Sequence, residues 1–224
     1  MINIKEIFDN DNVAQCVSLW LSDNCDGSDL AGAAEYAAEM KINSLSVTPK
    51  DVPVIWPWVE KIDVKIIARF YVDSLAGQNV SNLVVGVNSV FKQGASGAQI
   101  ILPLSELEHL SDSLSAVRED LFFNKELSVG LDVLQVWPLD WANVFDNLKK
   151  INATSLLLIL NHDDMEKSDF TGRIYGALEC WNASPDMELH VMFGESHGRA
   201  EQVYRLVAIN RPELLNKLKF FVSY

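Results

Sequence analysis

Eight short aliphatic runs, each followed by a stretch with helical spacing, recur in roughly equal steps along this 224-residue chain. The runs fall at 16–21 (CVSLWL), 42–48 (INSLSVT), 64–72 (VKIIARFYV), 98–104 (AQIILPL), 127–134, 155–160, 187–193 and 219–223. Strands so continuously apolar need cover on both faces, which argues a parallel sheet wrapped by helices. Eight such units argue closure into an α/β (β/α)8 barrel. An open doubly wound sheet is the alternative, but no glycine-rich phosphate loop follows the first run or any other.

Between the runs, Ser28 is the expected N-cap of a helix reaching Lys41, with Leu30, Ala33, Ala34, Ala37 and Met40 on one face. A short helix containing tryptophan and proline is expected over 52–62, and a longer one over 79–93. Ser105 and Glu108 have capping-box spacing ahead of a stripe at Leu107, Leu110, Leu114, Val117 and Leu121. Helices are further expected over 139–150, 170–181 and 199–209, with a short one from Pro212. The tryptophans and the Leu/Val stripes read as core. No low-complexity linker divides the chain, so residues 1–224 read as one barrel domain.

Charge narrows the partners. Thirty-one acidic residues against 18 basic ones give −13, a surface that repels nucleic acid and anionic lipid. No apolar run approaches a membrane span, and 1–12 lacks a secretory signal's apolar core, so a cytoplasmic location is expected. Cys16, Cys25 and Cys180 have no metal-site spacing and read as reduced thiols; Cys25 has no identifiable base to make it a nucleophile.

The run 156–160 opens into Asn161-His162-Asp163-Asp164, a polar cluster where barrel chemistry is placed. It reads either as a proton-transfer or metal cluster or as a solvated turn. Gln99, Asp132 and His190 are interior polar positions expected to satisfy one another across the barrel. No local metal-ligand motif joins His162, Asp132, Glu195 and His190, and no metal or cofactor is implied.

Several segments resemble the deoxyribose-phosphate aldolases, which are class I aldolases on a (β/α)8 barrel. They are CDGSDLAGAAEYAAEMKINSLSVTPKDV, DVKI, GASGAQIIL, NATSLLLIL and GRAEQVYRLV, and the resemblance spans about 17–223. It implies a Schiff-base lysine, a second lysine and an aspartate. These fall here on Leu157, Met192 and Gln99, which cannot perform that chemistry. No lysine lies in the fourth, sixth or seventh run; Lys65 and Lys219 begin their runs, at the end away from such a site. Asp132 stands where the family has a glutamate.

The family's phosphate loop corresponds to Gly194-Glu195-Ser196-His197-Gly198, with Glu195 in place of a glycine. The sequence stops at Tyr224, so the eighth helix is expected to be absent. The outer faces of the first and last strands are expected to be covered by Ile4, Ile7 and Phe8 or by a second copy of the chain.

The expectation is a barrel that has lost Schiff-base catalysis. It would bind a small ligand through Gly194, Ser196, His197, Asn161 and His162, or bind a protein partner, a second copy of the chain in a homo-oligomer among the candidates. The alternative is a lyase or isomerase acting on a small carbonyl or sugar-phosphate compound with a different residue set, Asp132 and His190 carrying the catalysis. Neither ligand nor partner is named by the sequence.

Overall fold

The computed structural model describes residues 16–115, 124–160, 167–184, 186–194 and 197–224. Eight parallel strands close into a barrel in sequence order: β1 (Val17–Trp20), β2 (Ser44–Val47), β3 (Lys65–Tyr71), β4 (Gly97–Ile101), β5 (Glu126–Asp132), β6 (Ser155–Ile159), β7 (Glu188–Met192) and β8 (Leu218–Ser223). β8 pairs with β1 through Val17–Phe220 to Trp20–Ser223.

Among the described residues the α-helices are α1 (Gly27–Met40), α2 (Val52–Val59), α3 (Asn79–Lys92), α4 (Leu107–Ser115), α5 (Trp141–Lys150), α6 (Lys167–Asn182) and α7 (His197–Asn210). A 3-10 segment, Pro212–Lys217, leads into β8. No described helix is long and apolar enough to cross a membrane.

Local chemistry sets the boundaries. α1 is capped by Asp26 rather than Ser28: the Asp26 carboxylate accepts from the backbone N–H of Ser28 and Asp29, and Asp29 reciprocates to the Asp26 N–H. Ser28 is bypassed because its hydroxyl itself donates to Asp26 at 2.6 Å. The helix ends where Lys41 turns left-handed at φ 57°. β4 and β5 end earlier than their apolar runs, because Leu104–Glu106 and Val133–Gln135 fold into 3-10 turns. Ser105 therefore sits inside such a turn and does not cap α4. Pro57 lies within α2, the tryptophan- and proline-containing helix expected here. Leu107, Leu110 and Leu114 line the buried side of α4 as expected, while Val117 and Leu121 lie outside the described residues.

The apolar core lies between the barrel and its helices. Outward-facing Val17, Leu19, Leu218, Phe220 and Val222 are buried, and Tyr224 packs on Tyr36 of α1. Ile4, Ile7 and Phe8, expected to cover this side, lie outside the described residues. The tryptophans divide: Trp20, Trp141 and Trp181 are core, whereas Trp56, Trp58 and Trp137 are exposed. The Trp56 ring lies against Gly94, which makes room for it: an added Cβ there would sit 2.4 Å from the ring.

The barrel interior is stacked in layers drawn from alternate strands. The strand registers place Ser18, Ile67, Ser128 and His190 in one layer. Ser46, Gln99, Leu157 and Phe221 lie above it, then Trp20, Arg69, Gly130 and Met192. Below them, at the N-terminal end, Lys65 is bonded to Glu126 and Lys219 to Glu188. Both lysines thus lie at the floor, away from the C-terminal mouth.

Candidate functional site

In a barrel of this kind chemistry belongs at the C-terminal mouth, where loops from successive strands converge. Here that end is closed by an apolar plug. Leu157 of β6 and Met192 of β7 pack in one buried cluster with Trp20 and Phe221, and Ile101 and Ile159 lie against it. Leu157 is fully buried, and Trp20 meets Phe221 edge to face with ring centroids 5.8 Å apart. Gly130 opens the space: an added Cβ there would stand 2.8 Å from Ile101 Cγ1 and 3.2 Å from Leu157 Cδ2. The two positions where the resemblance implied lysines are therefore neighbours, and both carry side chains without a nucleophilic nitrogen.

A cation does reach this level of the barrel, and it is Arg69 of β3. Its guanidinium is fully buried and stacks 4.0 Å above the Trp20 ring centroid. It donates to Leu21 O at 2.7 Å, to Asp23 Oδ1 at 2.5 Å, and to Ser46 O and Oγ at 3.2 and 3.1 Å. These bonds tie β3 to the ends of β1 and β2 and leave the guanidinium closed to solvent. Arg69 was not singled out in the sequence. The available signal was a lone arginine inside VKIIARFYV, two residues after Ile67, hence on the interior face by strand alternation.

The three interior polar residues do not form the shared network expected of them. Gln99 accepts from the Ser46 hydroxyl at 2.9 Å, and its Nε2 has no partner among the described residues. His190 Nε2 bonds Glu188 at 2.9 Å, with Nδ1 unpartnered. Asp132 ends β5 and caps the next turn, accepting from Leu134 N at 2.8 Å. Gln99 meets its layer-mate Ser46, whereas His190, one layer lower on β7, turns to Glu188, so local partners separate what the strand pattern left together.

Electrostatics place the strongest perturbations at the floor. Burial pushes Glu188 up, but hydrogen bonds from His190 and Lys219 and their charges outweigh it and hold the carboxyl at about 2. Burial holds the His190 imidazole below its ordinary range, against the pull of Glu188. Burial also raises the thiol of Cys25, with Asp29 adding to it, which disfavours a thiolate nucleophile.

Of the loop residues, Gly194 follows β7 in a left-handed turn at φ 54°, and His197 opens α7. Glu195, Ser196 and the cluster Asn161-His162-Asp163-Asp164 lie outside the described residues, as does the side chain of His197. Arg199 stacks on Phe170, its Cζ 4.4 Å from the ring centroid. Among the described residues no group of three or more His, Cys, Asp or Glu is placed to hold a metal ion.

No protein-family model matches the chain, and a search of curated proteins finds no match. Solved structures do match. The deoxyribose phosphate aldolase from Aeropyrum pernix superposes with a TM-score of 0.74 at 13% identity, covering 98% of this chain and 90% of that one. The aldolase QR15 gives 0.70 at 10% identity, with 95% and 92% covered. The carboxyl transferase domain of Rhizobium etli pyruvate carboxylase gives 0.65 at 12%, covering 93% of this chain but 39% of that one. At these identities the likeness is one of fold: the chain has a barrel resembling that of the deoxyribose-phosphate aldolases.

Proposed function

We propose that this chain is a degenerate barrel of the deoxyribose-phosphate aldolase type that does not use Schiff-base catalysis and acts by binding a small ligand or a protein partner. One observation carries the reading: Leu157 and Met192 belong to a single buried apolar cluster with Trp20 and Phe221. An imine requires an amine with a free lone pair beside the substrate carbonyl. The lysines of β3 and β8 are held in ion pairs at the opposite end, Lys65 to Glu126 and Lys219 to Glu188 at 2.7 Å. Gln99, in place of a proton-exchanging carboxylate, is engaged with Ser46.

Catalysis by Asp132 and His190 has less support, because His190 lies beneath the plug, 6% exposed and bonded to Glu188. A general base must reach the proton it abstracts.

The test is reductive trapping. Intact mass after borohydride treatment with acetaldehyde or deoxyribose phosphate is expected to show no stoichiometric adduct. One adduct mapped to a single lysine would overturn the reading, whereas scattered surface labelling is the ordinary background of exposed amines.

A further inference from the structure

At the opposite end of the barrel, the turns entering β6 and β7 frame a groove of about 440 Å³ lined by Lys149, Asn152, Thr154, Ser184, Asp186 and Met187, among others. We propose that this groove binds a small zwitterion of the free amino-acid type.

Three features define the ligand's chemistry. Lys149, in the last turn of α5, and Asp186, ahead of β7, bring opposite charges to the same groove, and neither has an ion-pair partner among the described residues. Ser184 is 7% exposed, yet its hydroxyl has no hydrogen-bond partner among the described residues. A buried hydroxyl left unpaired is costly, so a ligand group that meets it is favoured. The other hydroxyl of the groove is already engaged: Thr154 Oγ1 donates to Leu127 O at 2.9 Å and accepts from Leu127 N at 3.0 Å. Ser184 therefore carries the unsatisfied hydroxyl of the groove wall, with Met187 and Ala153 supplying apolar surface.

Charge balance selects a zwitterion over a simple ion. An anion would meet Lys149 but would also face Asp186 and a chain of net charge −13. A cation would meet Asp186 and be repelled by Lys149. A molecule carrying a carboxylate and an ammonium satisfies both ends, and the volume lies within the ~300–1,000 Å³ usual for small-ligand pockets.

Glycine, L-serine and L-methionine are the probes, titrated calorimetrically into the intact protein beside N-acetyl-L-serine and L-serinamide, each of which lacks one charge. Free amino acids are expected to bind, and blocking either charge is expected to weaken binding by about tenfold or more. Lys149→Ala and Asp186→Ala, both at exposed positions, are expected to weaken it similarly with an unchanged circular dichroism spectrum. Ser184→Ala is expected to weaken it with both charges in place. The proposal is overturned if no free amino acid binds, if the blocked analogues bind as well as their parents, or if binding survives both charge substitutions.

Discussion

Leu157 Cδ2 lies 3.2 Å from the point that a Cβ on Gly130 would occupy, so the missing side chain of one residue is the space filled by the other. This pairing across β5 and β6 makes the plug at the barrel mouth possible, and its energetics are open to measurement.

Leu157→Ala should cost ~2–5 kcal/mol in urea denaturation, since it opens a cavity at a fully buried site. Gly130→Ala should cost ~1–3 kcal/mol by overpacking. The double variant should cost less than the sum, because shortening Leu157 removes one of the two clashes and leaves that with Ile101. Strict additivity would show that the two sites do not share this space.

Arg69 and Asp23 should behave as a coupled pair. Asp23 is half exposed, so Asp23→Ala should cost only about 1–2 kcal/mol, by leaving the buried guanidinium without its counter-charge. Arg69→Met replaces the cation with an apolar side chain and lets Asp23 return to water. A double-mutant cycle should therefore give a coupling of roughly 1 kcal/mol, and a coupling near zero would count against the pair.

Acid should destabilise the fold in two stages. His190 is held below its ordinary 6.5, so unfolding lets it take up a proton, and stability falls as pH drops below about 6.5. Glu188 is held at about 2 against an ordinary 4.5, so the stability it contributes is present above 4.5 and is lost as pH falls towards 2. Melting temperatures from pH 8 to pH 3 should show both stages, and His190→Phe should remove the upper one. A melting temperature unchanged between pH 7 and pH 5 would contradict the first assignment.

Phosphate should bind feebly at the mouth, on the order of millimolar or about 4 kcal/mol, if the helix opening at His197 offers its N–H groups after the left-handed Gly194. Glu195→Gly, by removing a like charge from the same loop, should tighten it. Titration followed by isothermal calorimetry reads both, and micromolar binding by the unaltered protein would favour an enzyme over a binding protein.

The barrel was legible in the sequence because eight short apolar-rich runs recur in even steps, each followed by a stretch with helical spacing. Runs such as 156–160 call for cover on both faces, so the alternation of strand and helix followed from spacing, and the count of eight argued closure over an open sheet. The resemblance also placed Leu157, Met192 and Gln99 at chemically decisive positions, which strand alternation kept on the interior face. Boundaries were less legible: Asp26 rather than Ser28 caps α1, and the ends of β4 and β5 curl into 3-10 turns, because hydrogen bonds over a few residues decide such ends.

What the sequence by itself determined is the order of the strands and the inward placing of Gln99 and His190; the rest of the interior rows, Ser18, Ser44, Ser46, Lys65, Arg69 and Ser128, follow the same period of two. Only the tertiary structure decided which of them meet. Register and barrel tilt bring Ser46 to Gln99, Arg69 to Trp20 and Lys65 to Glu126, residues 53, 49 and 61 positions apart in the chain. A strand pattern fixes the face of a side chain, whereas its height depends on the stagger of every neighbouring strand. That stagger turns His190 down to Glu188 and Gln99 across to Ser46, while Asp132 caps the turn after β5, and so divides the polar groups that the sequence suggested as one network.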